Sequence, residues 1–229
     1  MTDKTPITNY IMLPDGYYEN EFSGDTVKFI SNVYVYGFEQ SLRVSKYPMK
    51  VDLNKESTNN DVAFRLAKLP STSGEDNWLS GITVQFDLKF TIKAWTEFER
   101  YHFAQIVSSQ STMHKITRFD LSDAYNEFVD DEIIRIMKSK VDEYNYYIED
   151  NPDWNKDELK RNVVNDMYMQ ILYSNPCGMY LTAGITTNYR QLKTIYQQRK
   201  NHRLQEWREF CKYIERLPFM NKILGLNKE

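Results

Sequence analysis

Residues 82 to 92 read Ile-Thr-Val-Gln-Phe-Asp-Leu-Lys-Phe-Thr-Ile, an alternation in which Ile82, Val84, Phe86, Leu88, Phe90 and Ile92 are apolar and every residue between them is polar. Side chains of an extended strand point to opposite faces in turn, so this pattern demands a β-strand with one buried face. Such a strand needs neighbours in a sheet and a second layer to cover its apolar side. Residues 26 to 44, rich in β-branched and aromatic side chains around Gly37, supply two short strands or a strand and a bend. The segment Pro70 to Asn77 has the composition of a loop.

The covering layer is helical. Trp95, Phe98, His102 and Ile106 follow the alternating segment at helical spacing, which predicts that the strand hands directly to a helix ending near His114. Ile133, Met137, Val141, Tyr144 and Ile148 make one apolar stripe, and Leu159, Val163, Met167 and Ile171 make another. A break at Ser174 to Thr187 precedes two C-terminal helices, one carrying Leu192, Ile195, Tyr196 and Arg199, the next Trp207, Phe210, Cys211 and Ile214, with Pro218 stopping the run. The fold class is therefore α+β, a central mixed or antiparallel sheet packed with long helices. We expect one domain over residues 1–229, in which residues 1–76 carry no recognised motif. With 41% hydrophobic and 14% aromatic residues, the chain has enough apolar mass for a core.

Charge is distributed unevenly. Between Asn188 and Arg208 stand six cations, Arg190, Lys193, Arg199, Lys200, Arg203 and Arg208, and one acid, Glu206. The whole chain has a formal charge of -3, so the remainder carries about -8 and the basic cluster is local. It fits either a solvated helix face or a bound anion such as a phosphate. Tyr189, Tyr196 and Trp207 interleave with the cations as stacking platforms do, which opens a nucleic-acid-binding alternative.

The start of the sequence lacks a basic, then apolar, targeting pattern, and no stretch reaches the roughly 18 apolar residues of a membrane span. Two cysteines without CxxC spacing fit a reducing compartment, so a cytoplasmic protein without a metal site is expected. Phosphate loops, dinucleotide fingerprints, zinc-protease helices and nucleophile elbows are all missing from the sequence. Pro176-Cys177 has the setting of the nucleophile in the classical thymidylate synthases, but its surroundings do not match, and Cys177 reads as an inert turn residue. His114, followed by Lys115 and Arg118, stands at an element boundary, as surface helix ends and binding sites both do.

A second resemblance extends further. Asn188, Arg190 and Leu192, followed by Arg199, resemble the N-x-R-x-L and later Arg of the flavin-dependent thymidylate synthases, with Pro176 and Thr182 also in step. The segment Gln205 to Glu209 resembles the family's following Q-x-E-[IL]-R. Ser108 to Lys115 resembles its H-Q-L-V-R-H-R helix end, with His114 on the central histidine and Lys115 on the second arginine. Asn77 to Ile92 resembles the S-x-L-E-H segment and the strand after it, so the likeness covers roughly residues 77–215. Met113 replaces the first arginine, Ser80 and Gly81 replace Glu-His, and Asp123 and Tyr125 stand where a serine and an arginine are expected.

The resemblance implies a homotetramer that binds FAD and deoxyuridine monophosphate (dUMP) where subunits meet. It also implies a methylation of dUMP to dTMP that draws on methylenetetrahydrofolate and NADPH and uses no enzyme nucleophile. On that reading Arg199 is the catalytic and substrate-binding residue, Lys115 a second substrate contact, and His114, Asn188 and Arg190 bind the cofactor.

Overall fold

The computed structural model of the chain describes residues 16–17, 29–54 and 59–226. Five strands form one sheet in the order β1-β2-β3-β5-β4: β1 is Gly16–Tyr17, β2 Ile30–Tyr36, β3 Thr83–Thr91, β4 Gln105–Ser109 and β5 Tyr180–Asn188. β1 with β2 and β2 with β3 are antiparallel. β5 runs antiparallel to β3, since Tyr189 N donates to Ile82 O (3.0 Å) at one end and Ile92 N to Met179 O (2.9 Å) at the other. β4 closes the order on the far side of β5, where the Thr187 hydroxyl donates to Phe103 O (2.9 Å) and Gln110 N to Thr182 O (2.9 Å). The sheet is antiparallel throughout, within the expected α+β class.

β3 behaves as its alternation requires: Ile82, Val84, Phe86, Leu88 and Phe90 are buried, and the polar residues between them are at least partly exposed. Each such burial is worth roughly 1.5–3 kcal/mol relative to exposure, which fixes the register against a one-residue slip. The β2–β3 register shifts between Ser31 and Tyr34, where Asn32 takes a left-handed φ of 53° and its amide donates to Asp87 Oδ2 (2.6 Å). This bulge returns Val33 and Val35 to the buried face.

The α-helices among the described residues are α1 Phe38–Val44, α2 Asp61–Ala67, α3 Ile92–Phe98, α4 Thr112–Lys115, α5 Asp131–Asp150, α6 Glu158–Ser174, α7 Tyr189–Arg199, α8 Gln205–Arg216 and α9 Met220–Leu224. The chain divides into two compact units: Met1–Lys89, Phe98–Ser108 and Ala183–Glu229 make the first, Phe90–Glu97 and Ser109–Thr182 the second.

In the first unit, α7, α8 and α9 bury Leu192, Ile195, Trp207, Phe210, Ile214, Met220 and Ile223. Phe98 stacks on Trp207 at 5.9 Å, and Phe86 meets Phe210 at 5.7 Å. Gly37, at φ 76°, opens α1, and a Cβ there would lie 2.7 Å from Gly81 O, so only glycine lets β2 turn into the helix. The expected second strand or bend after Gly37 is this helix, and residues 26–28 lie outside the described residues. In the second unit, Ile116, Leu121, Ala124, Met137, Val141, Ile171 and Met179 form the core.

Three expectations are corrected. β3 does hand directly to a helix, but α3 ends at Phe98 and not near His114. The chain turns twice, Tyr101 N to Phe98 O (3.0 Å) and Ala104 N to Tyr101 O (2.8 Å), and then extends as β4. Ile106 and Val107 are β-branched and favour that extension, so Ile106 matched the helical spacing by coincidence. On α6 the stripe read from the sequence holds only toward its C-terminal end, where Met167 is half-buried and Ile171 fully buried; Leu159 and Val163 are exposed, and Val164 takes the buried place in the earlier turns. The apparent break at residues 174–187 contains β5, whose small and β-branched residues alternate between buried and half-buried positions.

Candidate functional site around Arg199

α7 starts as β5 ends. Asn188 is its N-cap, in extended backbone, and its side-chain oxygen accepts from Gln191 N (2.9 Å). One turn on, the first two cations of the basic cluster turn inward. The Asp76 carboxylate, fully buried between two 3-10 turns, accepts from Arg190 Nε (2.9 Å), Lys193 Nζ (2.8 Å) and the Ser71 hydroxyl (2.6 Å). Lys193, 1% exposed, also donates to Leu69 O (2.5 Å), and Arg190 Nη2 donates to Ser71 O (2.6 Å). Burial alone would raise the Asp76 pKa, but the hydrogen bonds and charges of Lys193, Ser71 and Arg190 outweigh it and hold the carboxyl below its ordinary value. These groups pin the loop before β3 to the first turns of α7.

Arg199 closes the same helix on different partners. Its Nε donates to the Tyr101 hydroxyl (2.7 Å), and its guanidinium carbon lies 4.8 Å from the Trp207 ring centroid and 5.6 Å from that of Tyr101. The Tyr101 hydroxyl in turn donates to Gln198 Oε1 (3.0 Å). Trp207 is fully buried, wedged by Phe98, Tyr101, Phe210 and the His202 ring. A planar cation is thus held on two aromatic surfaces and oriented by a hydroxyl, while its side chain is only half-buried. Tyr101 reaches it because α3 ends early: the turn after Phe98 carries Arg100, Tyr101 and His102. Sequence reasoning missed Tyr101 by extending that helix to His114.

The turn between α7 and α8 is tied down by Arg208, whose Nη1 donates to His202 O (2.8 Å) and Arg203 O (2.7 Å). His202 Nδ1 accepts from Leu204 N (3.2 Å). Lys200 lies over the Tyr196 ring at 5.6 Å, and the Tyr196 hydroxyl donates to Glu215 (2.8 Å). The interleaved aromatics are core: Tyr189 and Trp207 are fully buried and Tyr196 nearly so, so they are not stacking platforms.

Asn188, Arg190 and Arg199 share α7 in the first unit. His114 and Lys115 are exposed on the four-residue α4 of the second unit, where Tyr168 donates to the carbonyl of Met113 (3.0 Å). His114 therefore does not close the helix that β3 feeds. Among the described residues no group of His, Cys, Asp and Glu side chains is arranged to hold a metal, and no helix is long and apolar enough to cross a membrane.

The two thiols differ sharply. Cys211 is buried beside Glu215, and burial with that carboxylate pushes its thiol up to about 12 despite Arg199 and Lys200; Cys177 is exposed. Native protein is expected to yield one thiol per chain to Ellman's reagent at neutral pH and two in denaturant. Two rapidly reacting native thiols would contradict this packing.

No protein-family model matches the sequence, and no curated protein matches it. Solved structures do. A crystal structure of thymidylate synthase X (ThyX) from Helicobacter pylori with FAD and dUMP matches with a TM-score of 0.59 at 13% identity, over 83% of this chain and 93% of that one. Another, of the flavin-dependent thymidylate synthase ThyX from the same organism complexed with FAD and dUMP, gives 0.59 at 12% identity over 83% and 94%. At such identity the likeness is one of architecture: this chain has the fold of the ThyX flavin-dependent thymidylate synthases.

Proposed function

We propose that this chain binds FAD or dUMP, and that Arg199 is the residue that meets the planar ring of the ligand. The observation that carries the reading is the Arg199 clamp, a guanidinium oriented by Tyr101 and Trp207 at the end of α7, in a fold shared with proteins crystallised with those two ligands. A uracil or flavin ring presents carbonyl oxygens in its own plane, which a guanidinium edge matches and a point-charge ammonium does not. Held in place beforehand, Arg199 stabilises negative charge that develops on such a carbonyl. FAD, when bound, supplies the redox chemistry, with NADPH and methylenetetrahydrofolate as co-substrates of a dUMP methylation.

The phosphates of either ligand need other cations. Arg190 and Lys193 serve Asp76, and Arg208 serves two carbonyls. His114 and Lys115, exposed in the second unit, are proposed as phosphate contacts. Asn188 and Arg190 enter the cofactor side of the proposal through the helix start they fix. A homotetramer is the assembly that the family resemblance implies. The nucleic-acid alternative is weaker, since Arg190 and Lys193 are committed to Asp76, Arg208 to two carbonyls and Arg199 to Tyr101 and Trp207, and its aromatics are core.

Purified protein is expected to take up FAD, visible as flavin absorbance, and to melt at higher temperature as dUMP is added, because a ligand of the native state stabilises it by mass action. Protein with no detectable FAD affinity and no dUMP shift would refute the reading. Rescue of a thymidine-requiring bacterium by the gene tests turnover itself.

A further inference from the structure

We infer that Asp76 is a positioning residue for FAD: it grips the Arg190 guanidinium by its inner edge and so fixes the outer edge where an acceptor oxygen of the cofactor can meet it. This role rests on the ligand reading, and it belongs to a buried carboxylate that no ligand touches.

Arg190 is held at two of its three nitrogens. Its Nε donates to Asp76 Oδ1 (2.9 Å) and its Nη2 to Ser71 O (2.6 Å). A guanidinium is planar and rigid, so two anchored nitrogens fix the place of the third. That third nitrogen, Nη1, has no hydrogen-bond partner among the described residues. The Arg190 side chain is 32% exposed, whereas those of Asp76 and Lys193 are at most 1% exposed. Of the two cations on the carboxylate, only Arg190 is open to a ligand.

Lys193 by itself neutralises Asp76, with Nζ 2.8 Å from Oδ2. Neither cation forms a second ion pair among the described residues, so Arg190 adds a positive charge for which this cluster supplies no further acid. Tying the loop before β3 to α7 needs only the lysine and the aspartate. A surplus charge that is fixed in direction and reaches the surface favours an electron-rich partner. Lys193 keeps the buried carboxyl ionised, which keeps its grip on Arg190. Because the arginine is in place before a ligand arrives, binding need not order a long side chain.

The test is FAD affinity, with melting temperature on the same samples, for the full chain as wild type, Arg190→Ala, Asp76→Leu with Lys193→Met, and all three changes together. The Asp76→Leu, Lys193→Met pair removes both buried charges and leaves Arg190 without its anchor. It is expected to melt near wild type yet bind FAD at least about tenfold more weakly, the worth of one hydrogen bond to a charged group. Arg190→Ala is expected to lose a similar factor, and the triple variant no more than either, since both losses pass through one guanidinium. A purely structural Asp76 would leave FAD affinity at the wild-type level in the folded pair variant, or give losses that add, and either result overturns the inference. Should the pair variant fail to fold, Arg190→Lys takes its place. Lys193 still covers Asp76 there, but an ammonium drawn to the carboxylate presents no second edge, so wild-type FAD affinity in Arg190→Lys would also overturn it. A wild type that binds dUMP and no FAD overturns this inference alone, and one that binds neither removes the ligand reading with it.

Discussion

Replacing Asp76 by alanine is expected to cost about 3–5 kcal/mol of folding stability, among the largest single losses available in this chain, because it leaves the Lys193 ammonium buried without its counter-charge. Arg190 suffers less, being partly exposed and able to turn toward water. A double change, Asp76→Leu with Lys193→Met, removes both buried charges and is expected to recover most of the loss, since well-packed apolar residues commonly replace a buried pair at little cost. Urea denaturation of the three proteins checks this. A loss below about 1 kcal/mol for Asp76→Ala would place the pair energetically with exposed ion pairs.

The same carboxylate gives the effect a pH signature. The folded protein holds the Asp76 pKa below its ordinary value of 3.8. Its contribution is therefore present above that value and lost as pH falls through the folded pKa. The stability difference between wild type and Asp76→Asn should stay constant above about pH 5 and shrink only below about pH 4. A difference that already shrinks between pH 7 and 5 would point to another group.

The second large effect is expected on binding. Arg199→Ala should remove measurable affinity for FAD or dUMP while costing the fold only about 1–2 kcal/mol, the scale of one cation–π contact and one hydrogen bond. Arg199→Lys keeps the charge but loses the flat contact with Trp207 and the fixed Nε–H to Tyr101, so it should fold like wild type and bind weakly. Tyr101→Phe deletes the hydroxyl that orients the guanidinium and should lower affinity without matching the loss in Arg199→Ala. Melting temperature and ligand affinity on each variant separate the roles. Unchanged affinity in Arg199→Ala would show that the arginine only braces Trp207. A loss well above 2 kcal/mol would make it a buried structural cation.

Much of the architecture was readable because it depends on local periodicity. The alternation through β3, the stripe on α7 and that on α8 each repeat often enough for one buried face to follow, and Ile82 to Phe90, Leu192 to Tyr196 and Trp207 to Ile214 are buried as read. β4 and β5 escaped because strands of small, polar or β-branched residues carry little apolar contrast, even in β5, which is as long as β3; β4, shorter and exposed on both faces, has no buried side to announce. Leu159 and Val163 misled because an apolar residue on a helix states what it prefers and not what stands opposite.

By itself, then, the sequence determined the elements whose apolar faces repeat, the local concentration of charge near α7, and the position of Arg199 at the end of its helix stripe. What each cation does was decided by tertiary structure. Arg190 and Lys193 look no different along the chain from Arg199 or Lys200, yet two of them meet an aspartate more than a hundred residues away and one meets the rings of Tyr101 and Trp207. The sequence records the charge of a side chain, but the energy of that charge depends on how far it is withdrawn from water and on which groups the fold brings within a few ångströms.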